Sequence, residues 1–188
     1  MAPIDAQPDE PWRADELPDF EYRTLKLPDG DDGELAATLV RRLRSSWSEP
    51  PRGVALYLHG YVDYFFHPHL ADAYRAAGFD LWALDLRRSG RSRRPGNVPH
   101  QFEVVDDYFT EIDWALSQIG AAGLPLSGLV GHSTGGLVAS HYAGRGAQRA
   151  SLKCLILNSP FFAFRAEPLE RLALPVLGWL GRVAPRAP

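Results

Sequence analysis

The sequence predicts an α/β fold: an amino-terminal β-hairpin leading into a mostly parallel sheet flanked by helices. Three observations carry that prediction. Glu21–Leu27 alternates polar and apolar residues with period two and ends in the turn Pro28-Asp29-Gly30. Beyond Pro50-Pro51, short continuous apolar runs alternate with stretches of helical spacing. Finally, Leu129-Val-Gly-His-Ser-Thr-Gly-Gly-Leu137 sets Gly131, Ser133 and Gly135 in a G-x-S-x-G pattern between an apolar run and a helical one.

The first twenty residues carry Pro3, Pro8, Pro11 and Pro18 among six acidic side chains, with neither a basic start nor an apolar core. Residues 1–20 therefore read as a flexible acidic arm and not as a signal peptide. Glu21–Leu27 and Glu34–Leu43 form the hairpin, and Val54–Leu58 is a strand buried on both faces, closed by His59-Gly60-Tyr61. A helix follows over about Pro68–Ala77, with Leu70, Ala73 and Tyr74 on one face and Gly78 as its stop. Phe79–Leu84 is the next strand and ends at Asp85. An arginine-rich loop runs from there to about Pro99 and reads as solvated.

Phe109, Ile112, Ala115, Leu116 and Ile119 give Asp106–Ile119 helical spacing. Leu126–Val130 is the strand before Ser133, and Leu152–Leu157 is a further core strand containing the single cysteine, Cys154. Residues 21–160 thus form the sheet-bearing core. Residues 161–188 differ: Glu167–Val183 is apolar on nearly every side and interrupted by Pro175, Gly178 and Gly181, as expected for the start of a lid or cap, or for a packing helix in need of a partner.

Composition narrows the function. At 188 residues and 45% hydrophobic, the chain is long enough for one substantial core. A net charge of -3 argues against nucleic acid as the main partner, and no apolar run approaches the ~20 residues of a membrane span. A lone cysteine permits no intrachain disulfide, which fits a cytoplasmic setting. Oligomeric state is left open.

The G-x-S-x-G context predicts a nucleophile elbow, with Ser133 at the apex in a strained conformation and its hydroxyl exposed. The glycines at 131 and 135 leave room for the sharp turn. The helix beginning at Thr134 directs its first amide and positive dipole end to where an oxyanion forms. A second donor is expected in the loop after Val54–Leu58, at the Tyr61 N–H, with Gly60 allowing close backbone approach and His59 shaping the loop. In such sheets reactive groups gather at the carboxyl ends of strands, where His59-Gly60-Tyr61, Asp85, Ser133 and Asn158 all fall.

Leu58-His-Gly-Tyr61, Asp85-Leu-Arg-Arg-Ser-Gly-Arg-Ser92 and Gly131-His-Ser-Thr-Gly-Gly136 together resemble the α/β-hydrolase superfamily, most closely its monoglyceride lipase, lysophospholipase and serine aminopeptidase-like group. The resemblance runs from about Glu21 to Pro160. It implies the α/β-hydrolase fold, acyl transfer to Ser133 from a small-molecule ester, an oxyanion held by the Tyr61 amide, and no cofactor. Where the family often has Gly-His, this chain has Arg88-Ser89, in a structural loop.

The family order also implies a triad acid and histidine after the serine. No histidine follows His141, and the only later acids, Glu167 and Glu170, lie in the lid segment. The chain, with the triad acid and base missing, is therefore expected to be either a fragment of a serine hydrolase or a degenerate relative of one. His132 should point away from Ser133, and His141 lies about 12 Å along the helix by its rise. His67, His69 and His100 read as loop or surface histidines, and His67-Pro-His69 lacks the carboxylate or cysteine cluster a metal needs. Asp85 reads as a loop brace, and Asp63 as at most a contact to a polar substrate group. The preferred function is a serine esterase acting on a monoacylglycerol or lysophospholipid-like ester. A peptidase of the aminopeptidase-like group and a non-catalytic binding protein of the same fold are the alternatives.

Overall fold

The computed structural model describes residues 10–43, 45 and 49–163 and, beyond them, Pro175, Val176, Trp179 and Val183. Its strands are β1 (Arg13–Ala14), β2 (Phe20–Gly30), β3 (Gly33–Arg42), β4 (Val54–Leu58), β5 (Asp80–Asp85), β6 (Leu126–His132) and β7 (Cys154–Asn158), with helices α1 (Pro68–Ala76), α2 (Phe109–Ala121) and α3 (Thr134–Arg145). They form one sheet in the order β1-β2-β3-β5-β4-β6-β7. The amino-terminal strands pair antiparallel, through β3 on β5, while β5, β4, β6 and β7 run parallel. The hairpin and the parallel crossovers are those expected from the spacing.

Period two sorts the side chains. Val54, Leu56 and Leu58 enter one core with Trp82, Leu84 and Leu129, covered by Ile112, Ala115 and Ile119 of α2 and Val138, Ala139 and Tyr142 of α3. Ala55 and Tyr57 enter the other with Leu81, Ala83 and Val130, covered by Ala71 of α1. A strand apolar at every position is what burial on both faces requires. It also brings the carboxyl ends of β4, β5 and β6 to one edge, since Leu58 pairs with Leu84 on one side and Gly131 on the other.

Several expectations need correction. The arm is not loose throughout residues 1–20: from residue 10 onward Arg13–Ala14 pairs with Tyr22 and Glu21, and Trp12 packs edge-on against Trp82 at 5.6 Å with the Arg41 guanidinium 3.7 Å from its ring centre. Cys154 is exposed and not a core thiol, because β7 is the outermost strand of the sheet. Leu155, Ile156 and Leu157 beside it are also at least a third exposed. The helix expected from Asp106 begins as a 3₁₀ turn, Val105–Tyr108, before α2. The lid segment falls almost wholly outside the described residues.

The arginine loop is not simply solvated either. Arg87 pairs with the buried Glu111, Arg88 grips Asp32 at 2.6 and 2.8 Å, and Arg91 joins Asp15 and Asp85. These partners lie between 6 and 76 residues away in sequence, so composition alone made the loop look like a charged surface.

Candidate active site

Ser133 stands between β6 and α3 with φ 51° and ψ −117°, a left-handed backbone that a non-glycine residue adopts only under constraint. The constraint is visible. The Ser133 N–H donates to Asn158 O at 3.0 Å, and Ser133 O accepts from the N–H groups of Gly136 and Phe161, each at 2.9 Å. The turn is thus held by the end of β7 as well as by its own helix. A methyl group on Gly135 would overlap Leu58 O and His59 O, and one on Gly131 would lie 2.5 Å from Gly135 O and 2.6 Å from Gly136 Cα. Only glycine lets strand, helix and β4 end meet this closely.

The loop after β4 is organised by His59. Its Nε2 accepts the Leu86 N–H at 3.0 Å, so the ring proton sits on Nδ1, which donates to Gly60 O at 2.7 Å. The peptide between Gly60 and Tyr61 is trans, as are all in the described chain, so gripping its oxygen fixes its N–H in the opposite direction. Asp63 completes the loop, accepting the Gly60 N–H at 3.3 Å and the Tyr64 N–H at 2.8 Å. Its carboxylate is therefore engaged in folding the loop. A Cβ on Gly60 would lie 3.3 Å from Ser133 Cβ, which shows how near this loop comes to the elbow.

Tyr61 and Thr134 line one narrow recess of about 10 Å3, room for roughly a single water molecule, together with His59, Gly60, Ser89, His100 and the first turn of α3. Thr134 is the first residue of its helix, so its N–H has no acceptor one turn back. Among the described residues, the Tyr61 N–H has no acceptor.

His100 was a loop histidine by sequence and comes into this recess by folding. Its Nδ1 lies 3.0 Å from Ser89 Oγ and its ring packs edge-on to Tyr61 at 5.9 Å. Burial first, and then the nearby Arg93 guanidinium, hold its pKa below the ordinary histidine value. The contact spans 39 positions from Tyr61, and no local signal foretold it.

The other candidates separate. His141 lies on α3 with Nδ1 3.9 Å from Asp106. His67 and His69 meet edge-on at the start of α1, their ring centres 5.7 Å apart, and no cluster of metal-ligating side chains exists among the described residues. Asp85 is a brace, as its position suggested, accepting the N–H groups of Phe65 and Arg91. Among the described residues no imidazole is hydrogen-bonded to Ser133 Oγ. No helix among them is long and apolar enough to cross a membrane.

Comparison with known proteins agrees with this architecture. The sequence profile of the family described as serine aminopeptidase, S33, matches residues 49–188. The monoacylglycerol lipase of Mycolicibacterium smegmatis is 32% identical over 155 residues, covering 79% of this chain and 52% of that protein. A soluble variant of monoglyceride lipase from Saccharomyces cerevisiae, solved with a substrate analog, superposes with a TM-score of 0.59 at 19% identity, over 99% of this chain and 56% of that one. A thermostable carboxyl esterase from Bacillus coagulans, solved with glycerol, gives 0.60 at 22% identity, over 85% and 50%. The chain spans about half the length of these relatives. With its mixed sheet, its elbow and its profile match, the chain belongs to the serine aminopeptidase S33 family of α/β hydrolases.

Proposed function

We propose that this chain carries the nucleophile and oxyanion side of a serine hydrolase acting on carboxylic esters. The observation that carries the reading is Ser133 at positive φ on a strand-to-helix turn, with Tyr61 and Thr134 both lining one recess. Ser133 Oγ attacks the ester carbonyl, and the oxygen that becomes negative is held by the N–H groups of those two residues. Collapse expels the alcohol, leaving an acyl-serine that water hydrolyses.

The proton on Ser133 needs an acceptor. His59 is excluded as that base, because its Nε2 lone pair is occupied by the Leu86 N–H and its Nδ1 proton by Gly60 O. The 188 residues by themselves are therefore nearly inert, since loss of a triad histidine costs about a millionfold in the subtilisin example. An ester such as a monoacylglycerol suits the lipase relatives and a neighbouring groove of about 910 Å3, whose walls include the exposed Val62, Tyr64 and Phe66. That no imidazole among the described residues bonds to Ser133 Oγ favours one second reading, a binding protein of the same fold.

An alkyl fluorophosphonate distinguishes them. Slow labelling mapped to Ser133 by mass spectrometry, and lost in Ser133→Ala, is the expected result. Absence of label at Ser133 after prolonged exposure would remove the enzyme reading. Rapid turnover of p-nitrophenyl butyrate by the 188-residue chain, abolished by Ser133→Ala, would refute its inertness.

A further inference from the structure

The loop that carries Tyr61 is fastened at its far end to the amino-terminal strap. Asp15, its side chain 2% exposed, takes Arg91 Nε at 2.5 Å and Nη2 at 2.8 Å, and also the Leu17 N–H at 2.8 Å. The remaining nitrogen, Nη1, donates to Asp85 Oδ2 at 2.8 Å and to Phe65 O at 2.9 Å. Asp85 returns a bond to the same residue, its Oδ1 accepting the Phe65 N–H at 2.8 Å. Both backbone groups of Phe65 are therefore held by this cluster, and its ring is buried between Phe20 and Tyr57 at 5.6 and 6.1 Å.

Between Phe65 and the equally tethered Gly60 lie Tyr61 to Tyr64. Within them Val62 is held at φ 53°, a conformation disfavoured for a β-branched side chain. Such a turn persists only while both of its ends are fixed. The bidentate grip of Asp15 sets the plane of the Arg91 guanidinium, and that plane aims Nη1 at Phe65 O. Without Asp15 the fork can turn and pair edge-on with Asp85, releasing the carbonyl.

We propose that Asp15 is a positioning residue for the oxyanion loop, acting through Arg91 on Phe65 and so on the Val62 turn and the direction of the Tyr61 amide. Its consequence for catalysis rests on the reading of Tyr61 as a donor; the bracing itself does not.

The two are separable by experiment on the 188-residue chain. Amide ¹⁵N relaxation should give order parameters near the rigid value of about 0.85 at Tyr61 and Val62, falling below about 0.6 in Asp15→Asn, while Leu56 and Leu129 stay rigid. Arg91→Lys keeps the charge but not the fork, and should loosen the same two amides; it also decides the matter if Asp15→Asn does not fold. Rigid Tyr61 and Val62 in the folded variants, with motion confined to residues 10–18, would overturn the proposal. Loosened amides with an unchanged rate of Ser133 phosphonylation would leave the brace standing and remove Tyr61 as the donor.

Discussion

The Leu86 N–H donates to Nε2 of His59 at 3.0 Å, and that single bond joins the ends of β4 and β5 while deciding what the histidine can do. A ring with Nε2 occupied and Nδ1 donating to Gly60 O is a neutral strut. His59→Ala leaves a buried donor and a buried acceptor unpaired and is expected to destabilise by about 2 to 3 kcal/mol. Urea midpoints of the two proteins check this.

The elbow glycine and a glycine further along α3 give a matched contrast. Gly135→Ala forces a methyl onto Leu58 O and His59 O and should lower stability by about 3 kcal/mol or more, or prevent folding. Gly144→Ala, in the same helix with nothing within 4 Å of the added carbon, should raise it by up to about 1 kcal/mol. Thermal unfolding of both variants tests the contrast.

Strain at Ser133 is measurable apart from reactivity. Its φ of 51° suits glycine and disfavours alanine, so Ser133→Gly should be more stable than Ser133→Ala by about 1 kcal/mol. Equal stability of the two by urea unfolding would mean that the turn relaxes.

Acid should unfasten the arginine loop. Hydrogen bonding to Arg88 holds the Asp32 carboxyl at about 2, below its ordinary value. A depressed folded pKa gives stability that is fully present above the unfolded value near 4 and is lost as pH falls towards 2. The stability difference between the natural chain and Asp32→Asn should therefore shrink as pH falls from about 5 to 2. A difference independent of pH in urea titrations would contradict this.

Much of this arrangement is legible in the chain itself. Unbroken apolar runs such as Val54–Leu58 demand a sheet covered on both sides, and the sheet is so covered. Gly131-His-Ser-Thr-Gly135 bends only one way between a strand and a helix, so the position of Ser133 follows from local sterics. The amide direction at Tyr61 was not legible, because it depends on a bond between His59 and a residue 27 positions away. His100 reached the recess, and Asp15 the arginine loop, in the same long-range manner.

Local sequence therefore determined which segments become strands and helices and where the backbone must turn sharply, since periodicity and glycine sterics act within a few residues. Tertiary structure alone decided which charges pair, which histidine is locked and which amides remain unpaired. Hydrogen bonds and ion pairs are contacts a few ångströms long, and only the folded sheet brings such distant residues within that reach.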